Sequence, residues 1–254
     1  MAGKMQEVEV YFSPSPNQSS LVGILALHER RLYFEYDASW LQKGLELSPF
    51  ILPCRPGLIE HRQYEFGPLF GLFDDSLPDG WGLLLMDRYF RRQGLNLTTV
   101  SPLDRLLFLG TNTMGALTYQ PPVYHDEQKT TLLDLHKLAA QAREVYEGPE
   151  TEVLPLLLRT GGSPGGARPK VLIGYHPQNR VIIAGESDLP DGFEHWLVKF
   201  SVGEDGLDAG PIELAYAMMA GDAGIHMPEC RVFQGNGGEQ FFGVKRFDRK
   251  AGNK

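Results

Sequence analysis

The stretch Gly161-Gly162-Ser163-Pro164-Gly165-Gly166-Ala167-Arg168-Pro169-Lys170 sets four glycines around one serine and runs straight into the apolar Val171-Leu172-Ile173. Glycine lets successive amides turn inward without a Cβ clash, so the N–H groups form a concave nest for anionic oxygens. Arg168 and Lys170 add positive charge beside that nest. A plain surface turn would have much the same composition. The flanks narrow the choice. A Walker loop ends in Gly-Lys-Ser/Thr, whereas Lys170 stands between Pro169 and Val171. A dinucleotide fingerprint needs a strand before the glycines and a helix after them. Here Leu154 to Arg159 reads as a helix end, and a strand follows.

A strand after a glycine-rich turn is the order in which protein kinases cover nucleotide phosphates, and that chemistry asks for two further groups. One is an ammonium for the α and β phosphates. Lys199 sits on the apolar run Trp196-Leu197-Val198-Lys199-Phe200, where strand alternation puts it on the face of Leu197 and leaves Val198 and Phe200 on the other. The second is an acid that holds the ammonium in place. Glu213 is expected in the first turn of the next helix, where the helix dipole alone would also favour a carboxylate. A lysine snorkelling from a strand edge is the alternative for Lys199. Loop, strand lysine and helix glutamate in this order form a much rarer pattern than any one of them.

Composition bounds the rest. In 254 residues, 24 basic side chains against 32 acidic give a formal charge of −8, with no dense Lys/Arg run to track a phosphate backbone. Direct nucleic-acid binding is therefore not expected. Cys54 and Cys230 lie far apart without a CxxC spacing, and the seven histidines include no metal-binding pair, so neither a disulfide framework nor a metal centre is indicated. No stretch reaches the roughly 18 apolar residues of a membrane span, and Met1 to Val10 has no signal core. The expectation is a soluble cytoplasmic protein with no membrane partner. There is no Gly-x-Ser-x-Gly elbow and no paired carboxylate spacing, so hydrolytic chemistry has no support.

Along the chain, Val8, Val10 and Phe12, then Leu21 to Leu27, then Leu32, Phe34 and Tyr36 alternate as half-buried strands, separated by the polar Ser13 to Ser20 and by Glu29-Arg30-Arg31. They predict an antiparallel meander. Leu77-Pro78-Asp79-Gly80-Trp81-Gly82 predicts a tight turn opening a helix with Trp81, Leu84, Leu85 and Arg88 on one face, Trp81 being read as a core anchor. A second helix is expected from Thr131 as N-cap, with Asp134 three residues on, to Gly148-Pro149. A domain boundary is placed there, giving 1–149 and 150–254. Strands are expected at Val171 to Tyr175, Val181 to Ala184, Trp196 to Phe200 and Phe241 to Phe247. A helix is expected from Ile212 to Ile225, with Leu214, Ala215, Met218 and Met219 facing inward.

Over nearly its whole length the chain resembles the HipA family of serine/threonine kinases, the toxins of type II toxin–antitoxin pairs. The likeness rests on Gly23-Ile24-Leu25, Phe34-Glu35-Tyr36, Trp40, Leu47-Ser48, Leu52-Pro53 and Leu77-Pro78-Asp79-Gly80-Trp81. It continues through Met114-Gly115-Ala116-Leu117 within a closing strand, Gly110 to Pro121, and through Ser163 to Lys170 and Val244-Lys245-Arg246-Phe247-Asp248-Arg249. The resemblance implies an α+β chain: an N-terminal antiparallel β domain with helices, then a protein-kinase-like N-lobe. It implies ATP with Mg2+ as cofactor, held by Gly165, Gly166, Ala167, Arg168 and Lys170 of the phosphate loop, by Lys199 with Glu213, and by Lys245, Arg246 and Phe247 of a hinge at the adenine. Ser163 falls where family members carry a regulatory phosphoserine. The implied partners are a HipB-like helix-turn-helix antitoxin and a protein substrate such as an aminoacyl-tRNA synthetase.

No His/Asp catalytic-loop segment and no metal-binding Asp turn follows Asp248-Arg249. The C-terminal kinase lobe is thus expected to be absent, with no catalytic residue in this chain, weak or no ATP binding, and phosphoryl transfer left to a complete protein. A non-enzymatic module that pairs with an antitoxin or a separate kinase body is the alternative.

Overall fold

The computed structural model describes residues 5–15, 18–62, 67–123, 131–148, 155–162, 164–185, 188–203 and 205–249. Alternation builds the amino-terminal strands: β1 (Gln6–Ser15), β2 (Gln18–His28) and β3 (Arg31–Tyr36) bury Val8, Val10, Val22, Leu25, Leu32 and Phe34 on one face. Ser15 pairs with Gln18, so strand extends into the polar cluster that the sequence reading treats as a connector. Adding β4 (Ile59–Glu60) and β5 (Leu117–Gln120) gives an antiparallel sheet in the order β4-β3-β2-β1-β5. The expected closing strand is β5, which lies beside β1.

Among the described residues, three helices complete the first unit. In α1 (Ala38–Lys43), Asp37 caps the start, Gly44 ends the helix and Trp40 is buried. The short α2 (Gly71–Asp74) supplies Phe73, and α4 (Pro102–Leu109) begins with a Ser101/Asp104 capping box and contributes Leu103 and Leu106.

The second unit contains α3 (Gly80–Arg92), α5 (Leu135–Glu147), α6 (Pro155–Gly161), β6 (Lys170–His176), β7 (Val181–Ala184), β8 (Glu194–Lys199), α7 (Ala209–Asp222), β9 (Cys230–Gln234) and β10 (Gln240–Lys245). Its five strands are all antiparallel in the order β7-β6-β8-β10-β9. One face carries Tyr175, Trp196 and Phe233 in edge-on contacts, with the Arg231 guanidinium over the Tyr175 and Phe233 rings. The chain is therefore α+β, with two antiparallel sheets and seven helices among the described residues.

The compact units are Met1–Leu77 with Leu95–Asp126, and Pro78–Gly94 with Glu127–Lys254. Both α3 and α5, which precede the 149/150 division of the sequence reading, belong to the second. Trp81 is fully buried there, as a core anchor should be. On α3 the buried residues are Trp81, Gly82, Leu85, Met86 and Phe90, while Leu84 and Arg88 are half-buried.

Three sequence expectations are corrected. The N-cap of α5 is Asp134, accepting from the amides of His136 and Lys137, and not Thr131. Residues 131–133 instead lie along β7, where Leu133 N–H donates to Ile182 O and Ala184 N–H to Thr131 O, so their backbone is satisfied without a helix. The inward face expected of α7 is also different: Ala215, Met218 and Met219 are exposed, and the helix meets the sheet through Gly210 and Ala217. Small residues allow closer approach than methionines would, and a helix apolar all round gives no periodicity from which to choose a face. Finally, β9 is an additional strand, and β10 stops at Lys245 rather than Phe247. No helix among the described residues is long and apolar enough to cross a membrane.

Candidate functional site

The glycine-rich loop joins α6 to β6 in the second unit, and its backbone is held from an unexpected direction. Gly166 N–H donates to the Asp79 carboxylate, and Gly166 O accepts from Trp81 N–H at 2.9 Å. The Trp81 indole N–H donates to Lys170 O at 3.0 Å, one residue into β6. Gly80, with φ +40°, makes this approach possible, because a Cβ on it would lie 2.6 Å from the Ala167 Cα. Within the loop, the Lys170 ammonium donates to Gly165 O at 2.6 Å.

Lys170 and Lys199 are directly opposite one another across β6 and β8. Two like charges in register oppose sheet pairing unless anions compensate. Here Glu213 on α7 takes the Lys199 ammonium in a direct ion pair, and Lys199 also stands 5.4 Å from the centre of the Phe242 ring. Burial pushes the Lys170 ammonium below the ordinary lysine range, with the Lys199 charge adding to the effect and Asp79 and Glu213 opposing it. Glu213 is not in the first turn of its helix, since α7 begins at Ala209 and its first turn holds no acidic residue. The helix dipole therefore does not account for this carboxylate. The pair's side chains are 36% and 39% exposed, and ion pairs of that kind stabilise a fold by only about 0.2–1 kcal/mol. Its consequence lies in what the lysine faces.

That is a cleft of about 170 Å³ lined by Arg168, Lys199 and Glu213, with Phe200 and Phe242 as apolar walls and Ala209 and Gly210 of α7 beside them. Asp205, also at the cleft, pairs with the Arg168 guanidinium and accepts from Val202 N–H at 3.1 Å. Pockets for whole drug-sized ligands occupy roughly 300–1,000 Å³, so this space is smaller than those. Its two cations are each balanced by a carboxylate, Arg168 by Asp205 and Lys199 by Glu213.

The structure brings Arg168, Lys199 and Glu213 to one cleft, with Lys170 across from Lys199 and Gly165, Gly166 and Ala167 in the adjoining loop. Lys245, Arg246 and Phe247 are not among the residues lining it. Lys245 ends β10 in ion pairs with Glu194 at 2.5 Å and Glu229 at 3.4 Å, and the Glu194 hydrogen bond raises its pKa. The amides of Lys245 and Arg246 are engaged with Glu229 O and His195 O. The Arg246 side chain is turned to Asp248 at 2.6 and 2.9 Å, while Phe247 is 87% exposed. Ser163 lies outside the described residues.

Sequence reading missed the part of Asp79 and Asp205. For Asp79 a signal was present: an acid between Pro78 and two glycines that flank a tryptophan is an unusual opening for a helix. Among the described residues no group of three or more His, Cys, Asp or Glu is placed to hold a metal ion.

Two protein-family models match the chain. The one described as HipA N-terminal domain covers residues 17–120, and the one described as HipA-like C-terminal domain covers residues 162–254. No curated protein matches it.

Proposed function

Because the chain belongs to the HipA family, we propose that its second unit is the nucleotide-holding, kinase-like N-lobe of a HipA-type serine/threonine kinase. The observation that carries this reading is the Lys199–Glu213 pair facing a cleft that Arg168 also lines. In this reading the Lys199 ammonium meets the α and β phosphates of ATP, Glu213 fixes its direction, and the loop from Gly165 to Arg168 covers the phosphates with Lys170 beneath it. ATP with Mg2+ supplies the phosphoryl group when bound. The backbone from Lys245 to Phe247 would contact adenine only after exchanging the internal bonds of the first two amides.

Transfer to a hydroxyl also needs an acid to receive its proton and another to hold magnesium. Residues 1–254 offer no candidate pair in catalytic-loop and metal-turn sequence contexts, so the activity proposed for them is nucleotide positioning. Membership in the family points to partners of the toxin–antitoxin kind, and the proposed ones are a helix-turn-helix antitoxin and a protein substrate such as an aminoacyl-tRNA synthetase.

The test is a calorimetric titration of the full chain with ATP and magnesium beside Lys199→Ala. The expected result is weak binding, with Kd on the order of 1 mM, reduced at least about tenfold by the substitution. Equal affinity in both proteins would overturn the role of Lys199. A folded wild type that binds no ATP at several millimolar would leave the second reading, a non-enzymatic module that docks on a partner. That reading is favoured by the exposed Ile212, Tyr216, Met218 and Met219 on α7.

A further inference from the structure

Asp79 occupies the N-cap position of α3 yet its side chain makes no capping bond to that helix. Aspartate at this position normally accepts from the second or third amide of its own helix. Here the carboxylate instead accepts from Gly166 N–H, across 87 residues of sequence. Two residues on, Trp81 N–H donates to the carbonyl of the same glycine. Gly166 is therefore gripped at both of its backbone polar groups by one short turn. The grip is close on both sides, since a Cβ on Gly80 would meet Ala167 at 2.6 Å and one on Gly165 would meet Asp79 Oδ1 at 3.0 Å. A third bond, from the Trp81 indole to Lys170 O, fixes the start of the strand that follows.

We propose that Asp79 is a positioning residue for the glycine-rich loop: by holding Gly166 it presets the arc on which Arg168 and Lys170 approach Lys199 and Glu213, and so sets the affinity for phosphate-bearing ligands. The inference rests on the nucleotide reading of the cleft and deepens it. It also assigns the mounting of that loop to a residue outside the stretch matched by the HipA-like C-terminal domain, residues 162–254. The physical reason is entropic. A loop rich in glycine samples many conformations, and an anion that must order it loses affinity by the population of the competent arc. A charge-assisted bond at its centre, backed by a backbone bond from the same turn, restricts that sampling before the ligand arrives.

Two substitutions in the full chain separate the loop contact from helix capping. Serine at 79 can cap α3 but is too short to repeat the contact with Gly166, and asparagine keeps a carbonyl acceptor at the same reach. Amide hydrogen exchange followed by NMR in the ligand-free protein is the first readout. Asp79→Ser should speed exchange at Gly166 about tenfold or more, and Asp79→Asn should stay close to wild type. Unchanged exchange at Gly166 in the serine protein overturns the proposal, and this result does not depend on whether nucleotide binds.

The second readout is affinity for ATP with magnesium against affinity for adenosine. Asp79→Ser should weaken ATP about tenfold and leave adenosine unchanged, with asparagine restoring most of the loss. Tighter ATP binding in both variants would make Asp79 a competitor of phosphate and overturn its positioning role, as would ATP and adenosine weakening in parallel. If wild type binds neither ligand, the nucleotide reading falls, and the exchange result alone decides whether Asp79 sets the loop.

Discussion

Lys170 is 6% exposed and faces another lysine across the sheet, an arrangement that works against the ligand-free fold. Its pKa is lowered in the folded chain, first by burial and then by Lys199, so the unfolded chain holds this proton more firmly. The sign follows: at neutral pH the charged group subtracts from stability, and the deficit shrinks as pH rises through the lowered folded value toward the ordinary lysine value of 10.5. Lys170→Met keeps length and removes charge, at the cost of the bond to Gly165 O. Urea denaturation at pH 7 should find the methionine protein more stable by about 1 kcal/mol, with the difference narrowing in alkaline buffer. ATP affinity should fall in the same protein. A methionine protein that is less stable at pH 7 and no poorer at binding ATP would mean that the ammonium serves the fold and not the cleft.

Among the elements, α7 is the one whose seating matters most, because it carries Glu213 to Lys199. It can approach β10 only through glycine: a Cβ on Gly210 would fall 2.1 Å from Gln240 O. Gly210→Ala should push the first turn of the helix outward, costing about 1–3 kcal/mol in thermal denaturation and weakening ATP about as much as Lys199→Ala does. A stable alanine protein with wild-type ATP affinity would show that the helix position is not set there. The strands at the other side of this sheet were largely readable from residue pattern, since Val171 to Tyr175 and Val181 to Ala184 are apolar runs between turns. β9 was not, because Cys230-Arg231-Val232 follows Pro228 and sets a charged residue where only stacking on Tyr175 and Phe233 makes it at home. The order of loop, Lys199 and Glu213 was legible for the site. For Asp79 the unusual helix opening was visible but its partner was not, because a local pattern does not say which loop, 87 positions away, the carboxylate serves.

For the molecule as a whole, the second unit draws on a segment, Pro78–Gly94, bounded on both sides by residues of the first. Leu85, Met86 and Phe90 of that segment are buried, and burial of such side chains contributes about 1.5–3 kcal/mol each. A chain restricted to residues 127–254 loses these contacts together with the Trp81 and Asp79 bonds, and is expected to show no cooperative transition by circular dichroism. A sharp transition at the wild-type temperature would mean that the remaining elements suffice.

The early position of α3 in the chain has a further consequence for any break of the polypeptide between residues 120 and 162. The amino-terminal piece would carry away the helix that the carboxy-terminal piece needs for its own interior. The severed halves would therefore be complements rather than independent proteins, joined by an inserted plug, and the carboxy-terminal half would regain a properly shaped glycine turn only in the company of the other.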